Sequence, residues 1–294
     1  MRNVRTVLEN YISTRIHANV GVQSGGILQD ELHQRLQSLK NRNALVVKSQ
    51  ALCQIHDITE TRNGVEARYS IQIKDLVKQR DKFINEEYVE ERIALIENDE
   101  VVRDSLVKPQ DDTESFDERD LDVEDDSVRQ PFIYDRREAV RYAEKWWDSY
   151  NPEYEKFEVD CTNFISQCLH AGGAPMTGYS NRGKGWWMKN GSWSYSWSVA
   201  HALRRYLPNA KSGLRAVEKE SASDLTLGDV ICYDFEGDGR YNHNTIVVAK
   251  DSNNMPLVNA HTYNSRMRYW EYTDSSAYTP NIKYAFLHIV DDES

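Results

Sequence analysis

The 294-residue sequence predicts an α+β fold in two domains. Three observations carry that expectation. Helical periodicity fills roughly the first forty residues and gives way to long runs of alternating apolar and polar residues. An acidic stretch then interrupts all periodicity, and beyond it the same order, helices before antiparallel strands, begins again. A single core rarely grows past about 250 residues, so a chain of this length is expected to divide. The expected parts are 1–108, an acidic linker over 109–130, and 131–294.

In the first part, Val4, Val7, Leu8, Tyr11 and Ile12 share a helical face within 3–20, and Leu28, Leu32, Leu36 and Leu39 share one within 27–41. Gly21 and the Gly25-Gly26 pair separate the two helices. Strands are expected over 44–58, 65–78 and 88–96, with a shorter one over 101–106 after the polar turn 97–100. This order of elements resembles the cystatin-like and NTF2-like cone folds, and the resemblance implies a binding or placement role. The linker carries ten acidic residues from Asp111 to Asp126, with Arg119 as the basic residue inside the run. Such a segment repels itself and is expected to be extended.

The second part opens at Phe132. Asp135 and Glu138 are placed as N-cap and capping-box partner of a helix running to about Trp147, with Ala139, Tyr142, Ala143 and Trp146 on its inner face. A second helix begins at Asp160-Cys161 and ends at Gly172-Gly173. A loop rich in Gly, Ser and Trp leads to a helix over 199–207. The period then changes, and strands are expected over 227–235, 243–250, 256–263, 267–272 and 282–290.

Composition limits the function classes. Hydrophobic residues at 39% and charged residues at 28% describe a folded domain protein without a membrane-spanning run. The net charge of −11 argues against nonspecific nucleic-acid binding. The N-terminus lacks the apolar core of a signal peptide, so a cytoplasmic location is expected of the sequence as it stands. Cys53, Cys161, Cys168 and Cys232 are too scattered for a disulfide framework or a zinc site, and reduced thiols are expected. No metal or cofactor is expected. The stretch 234–239 begins like a calcium loop, but Thr245 stands where a bidentate Glu is required, so a hairpin turn on Asp238-Gly239 is the better reading.

Reactivity concentrates at Cys161. Phe164, Ile165, Cys168, Leu169 and Gly172 follow it at helical spacing, which places the thiol at the N-terminal end of a buried stripe. There the helix dipole and unpaired backbone N–H groups favour a thiolate and an adjacent oxyanion. A thiol nucleophile needs a base and a group that orients the base. His243, Thr245, Val247 and Ala249 share one face of their strand, so His243 reaches the Cys161 helix if that face packs on it. Asn259 and His261 share a face of the next strand, and either is a candidate to orient the imidazole. Tyr150, Asn151 and Tyr154 are positional candidates for a further oxyanion donor. Trp186, Trp187, Trp193, Tyr195 and Trp197 line either a substrate cleft or a hydrophobic platform under their loop.

The stretches Asp160 to Gln167, Ala171-Gly172-Gly173, Leu227-Gly228-Asp229-Val230, His243 to Val247 and Asn259-Ala260-His261-Thr262 resemble the bacterial putative amidase domain, a relative of the papain-like NlpC-type and CHAP hydrolases. The resemblance covers roughly 130–290. It implies Cys161 as nucleophile and His243 as base. For the third role the NlpC-type pattern points to Asn259 and the family's own His-Thr motif to His261. It further implies hydrolysis of an amide bond in a peptide, typically a peptidoglycan fragment. Two other readings share these residues: a binding or structural module without turnover, and transfer of the acyl group to an amine instead of water.

Overall fold

The computed structural model describes residues 3–21, 29–108 and 131–293. Helix α1 (Val4–Asn19) starts at Asn3, whose side chain accepts from the Arg5 amide at 3.1 Å. Its Val7, Leu8 and Ile12 pack on Ala67, Tyr69, Ile71 and Ile73, alternate residues of one strand. Helix α2 (Gln29–Asn41) leads into a meander of β1 (Ala44–Thr61), β2 (Gly64–Gln79), β3 (Lys82–Glu97) and β4 (Glu100–Leu106). Strand β3 begins six residues earlier than its apolar alternation suggests. The added residues include Glu86 and Glu87, which are buried because cations meet them. Glu86 pairs with Arg35 and Arg42, and Glu87 with Lys74 and Arg266. The acidic segment 109–130 lies outside the described residues.

Helix α3 (Arg136–Trp146) is capped by Asp135, which accepts from the Arg137 and Glu138 amides at 2.9 and 3.1 Å. The reciprocal half of the expected box is missing, because Glu138 pairs instead with Arg141 at 2.7 Å. Helix α4 (Cys161–Ala171) ends at Gly172. A Cβ there would strike the Tyr134 ring, which explains the glycine. A small ribbon, β5 (Met188–Lys189) with β6 (Ser192–Trp193), precedes the short helices α5 (Tyr195–Ser198) and α6 (Ala200–Tyr206). Strands β7 (Arg215–Lys219), β8 (Val230–Asp234), β9 (His243–Lys250), β10 (Pro256–Ala260), β11 (Ser265–Tyr269) and β12 (Lys283–Val290) complete the chain.

The result is an α+β molecule built on one antiparallel sheet of order β1-β2-β3-β11-β10-β9-β8-β12-β7, with β4 also on β3. β3 divides its second edge: Arg92 to Glu97 pair with β4, whereas Glu87 and Tyr88 pair with Arg266 and Ser265 of β11. The Val89 amide adds a bond to the Asn264 carbonyl at 2.8 Å. The strands of the N-terminal half therefore continue directly into those of the C-terminal half.

Both faces of the C-terminal strands are covered. Val230, Cys232, Ile246 and Val248 pack against Phe164, Ile165 and Cys168 of α4. Ile231, Tyr233, Val247 and Val258 face the other way, into an aromatic layer with Tyr272, Trp270, Tyr284 and Phe286. Among the described residues no helix is long and apolar enough to cross a membrane.

Candidate active site

Helix α4 is buried along its length, with Phe164, Ile165, Cys168 and Leu169 fully enclosed. Cys161 sits at its head and is only 2% exposed. Asp160 occupies the N-cap position, where a carboxylate commonly caps the helix, but its carboxylate is engaged elsewhere. Oδ1 accepts from the Phe157 amide at 3.1 Å and from Asn163 Nδ2 at 2.9 Å, and Oδ2 lies 2.7 Å from His261 Nδ1. Thr262 does the capping. Its Oγ1 accepts from the Asp160 and Cys161 amides, each at 3.1 Å. Thr262 adopts φ 78°, a strained conformation for a β-branched residue, to bring the hydroxyl there. The Cys161 N–H expected to be open for an oxyanion is thus occupied.

Burial pushes the Cys161 thiol up, opposed by hydrogen bonds from the Asn244 backbone, the Thr162 hydroxyl and the Thr262 hydroxyl, while the nearby Asp160 charge reinforces the rise. The expected depressed thiol does not materialise: desolvation outweighs the hydrogen bonds that favour the thiolate.

Strand β9 meets α4 through Asn244, whose Nδ2 donates to Thr162 Oγ1 at 3.1 Å. The face of β9 that packs on the helix is therefore that of Asn244, Ile246 and Val248. His243, Thr245 and Val247 occupy the opposite face, so the packing on which the reach of His243 to α4 depended is not found. The His243 ring lies among Tyr233, Phe235 and Tyr272, with centroids 5.6, 6.1 and 5.4 Å away. Its polar neighbour is the Tyr272 hydroxyl, 3.5 Å from Nε2. Burial first, and the Arg268 charge second, lower the imidazole to about 3. Among the described residues no hydrogen bond joins Cys161 to His243. The Tyr272 phenol beside the imidazole is pushed up, first by burial and, more weakly, by the charges of Asp274 and Cys161.

Neither candidate for the third role hydrogen-bonds to His243. Asn259 donates to the Ala143 carbonyl and Glu144, at 3.3 and 2.9 Å, and accepts from the Met267 amide at 2.9 Å. His261 is pinned at both nitrogens, by Asp160 and by the Trp146 carbonyl at 2.8 Å, and its ring stacks on Phe164 at 3.9 Å. Both residues fasten the β10 end to α3 and α4. The polar group at the imidazole, Tyr272, was missed because in sequence it merely closes an alternating run. Of the positional candidates for an oxyanion donor, Asn151 Nδ2 is taken by Tyr142, whereas the Tyr154 ring stacks on Trp197 and the Tyr150 ring packs edge-on against His261.

The tryptophan loop is largely platform. Trp186, Trp187 and Trp197 are buried, while Trp193 and Tyr195 are half-buried. Trp186 Nε1 donates to Ser166 Oγ at 3.0 Å and Trp197 Nε1 to Asn163 Oδ1 at 2.8 Å, which braces α4 from below. In the calcium-like stretch, Asp234 turns its carboxylate onto the Gly237 and Gly239 amides at 2.7 and 2.8 Å. Among the described residues no group of three His, Cys, Asp or Glu is placed to share an ion. The four cysteines are free thiols.

A family model, the putative amidase domain, matches residues 133–287, which include α3, α4, β8, β9, β10 and β11. Over 261 residues the chain is 52% identical to the uncharacterized protein YhbB of Bacillus subtilis (strain 168), covering 86% of this chain and 84% of that one. It is also 33% identical over 135 residues to the uncharacterized protein YjcM of the same strain, covering 43% of this chain and 30% of the relative. No solved structure matches. The chain belongs to the putative amidase domain family.

Proposed function

We propose that the protein is a cysteine-dependent amidohydrolase that cleaves an amide bond in a peptide, such as a peptidoglycan fragment. Cys161 Sγ attacks the amide carbonyl as its proton passes, relayed by the Tyr272 hydroxyl 3.5 Å from Nε2, to neutral His243. The imidazolium returns that proton to the leaving amine. Water then attacks the thioester, releasing the acid and restoring the thiol. The observation that carries this reading is the thiol enclosed at the head of a buried helix, inside a domain of an amidase family. With the thiol raised and the imidazole lowered, the resting pair is uncharged, so proton transfer accompanies attack instead of preceding it.

A second reading, a binding module that keeps the fold without turnover, is favoured by the enclosure of Cys161 and by the occupation of its amide by Thr262. Mass spectrometry of short wall peptides incubated with the protein and with Cys161→Ala separates the two. Hydrolysis that needs Cys161 supports the enzyme; bound but intact peptide supports the binder.

A further inference from the structure

The N-terminal half reaches the candidate site through a chain of paired charges. Arg35, on α2, is 9% exposed; its Nη2 contacts Asp75 at 3.2 Å and Glu86 at 2.5 Å on the neighbouring strands. Its other terminal nitrogen leaves that half and reaches Asp274 Oδ2 at 3.1 Å. The second oxygen of Asp274 accepts from Arg268 Nη2 at 2.8 Å. Arg268 in turn lies with its guanidinium carbon 4.0 Å from the centre of the Tyr272 ring. The Tyr272 hydroxyl is 3.5 Å from His243 Nε2. Five side chains thus run without a break from a helix near the N-terminus to the imidazole.

We propose that Arg268 and Asp274 are positioning residues for His243, and that Arg35 fixes them from the N-terminal half, so that this half completes the catalytic centre instead of serving as a tethered module. The inference builds on the hydrolase reading given above, but its geometry stands without it. Asp274 is clamped between two guanidinium groups, which outweigh its burial and keep its carboxylate charged. So held, it fixes Arg268 against the face of Tyr272, and the phenol is fixed where it meets the imidazole. The titratable and charged groups facing His243 are Tyr233 from β8, Tyr272 from the turn after β11 and Arg268 from β11. Among the described residues Arg268 is the cation whose charge acts on the ring, and it disfavours the imidazolium. A pair of charges that merely glued the two halves together would have no such reach.

The test follows His243 in the full-length chain by NMR titration, with the melting temperature of each variant as a folding control. In the wild type the His243 ring stays neutral down to about 3. Arg268→Gln raises its midpoint by about half a unit or more, whereas Arg268→Lys, which keeps the charge, leaves it near the wild-type value. Arg35→Met lowers kcat at least about fivefold with KM little changed, and Arg35→Lys restores most of it. An unchanged His243 midpoint in a folded Arg268→Gln protein overturns the proposal, as does equal activity in wild type and Arg35→Met. The titration needs no turnover. Absence of Cys161-dependent hydrolysis in the wild type would therefore sink the hydrolase reading while leaving this inference to be decided by the imidazole.

Discussion

Thr262 Oγ1 accepts from the Cys161 amide at 3.1 Å, so the cap of the thiol's helix comes from the turn after β10 and not from the residue that precedes the helix. The same oxygen takes the Asp160 amide, and the hydroxyl also hydrogen-bonds the thiol. Thr262→Val leaves two amides without this acceptor and the sulfur with one donor fewer. A loss of about 1–2 kcal/mol is expected, together with a shift of Cys161 alkylation to higher pH. Thr262→Ser should keep both near wild type. The measurement is the rate of iodoacetamide labelling against pH in a Cys53→Ser background, since Cys53 is the half-buried cysteine and labels independently. Coincident profiles for wild type and Thr262→Val would show that the hydroxyl does nothing for the sulfur.

His243 makes stability depend on pH. Its folded value, about 3, lies below the ordinary 6.5 of an unfolded histidine. As pH falls, the unfolded chain takes up the proton first, so stability present above 6.5 is lost progressively towards 3. Urea unfolding across this range should be flatter for His243→Asn than for wild type, by up to about one proton in the slope. Parallel curves would mean that the ring is hydrated and titrates normally.

Asp160 and His261 hold the helix head to the turn beyond β10. Removing one member leaves the other buried, at 1% and 2% exposure, with its best partner gone. His261→Phe and Asp160→Asn are each expected to cost about 2–4 kcal/mol. The double variant should cost less than the sum, because the interaction is lost only once. Full additivity in denaturant unfolding would contradict the direct pairing.

Trp186 belongs to the platform beneath α4. Trp186→Ala should destabilise by about 3–5 kcal/mol, as other large-to-small core changes do. A stable Trp186→Ala protein with weakened peptide binding would return this residue to a substrate cleft.

Much of the architecture is legible in the sequence where one physical signal acts alone. Asp135 caps α3 as its position suggests, and the alternation of Ala67, Tyr69, Ile71 and Ile73 marks a one-sided strand. Reading fails where two signals compete. The start of β3 is hidden because Glu86 and Glu87 look like solvent-facing residues, and their cations lie at Arg35, Arg42 and Arg266, far away in sequence. The face of His243 is hidden for another reason. β9 is buried on both sides, so its residues alternate between two interiors, and periodicity tells which of them share a side but not which side meets α4. The roles of Asn259 and His261 follow the same logic. Both are polar and lie at the end of the strand next to that of His243, yet their bonds go to α3 and Asp160.

The central claim is that Cys161 carries the acyl group. The most direct measurement is peptide mapping by mass spectrometry after rapid acid quenching of the full-length protein with an acyl donor such as a peptide p-nitrophenyl ester. The account predicts an acyl mass on the Cys161 peptide that hydroxylamine removes, absent from Cys161→Ala, which also loses amide hydrolysis. Undiminished turnover in Cys161→Ala, or an acyl group mapped to another residue, would contradict it.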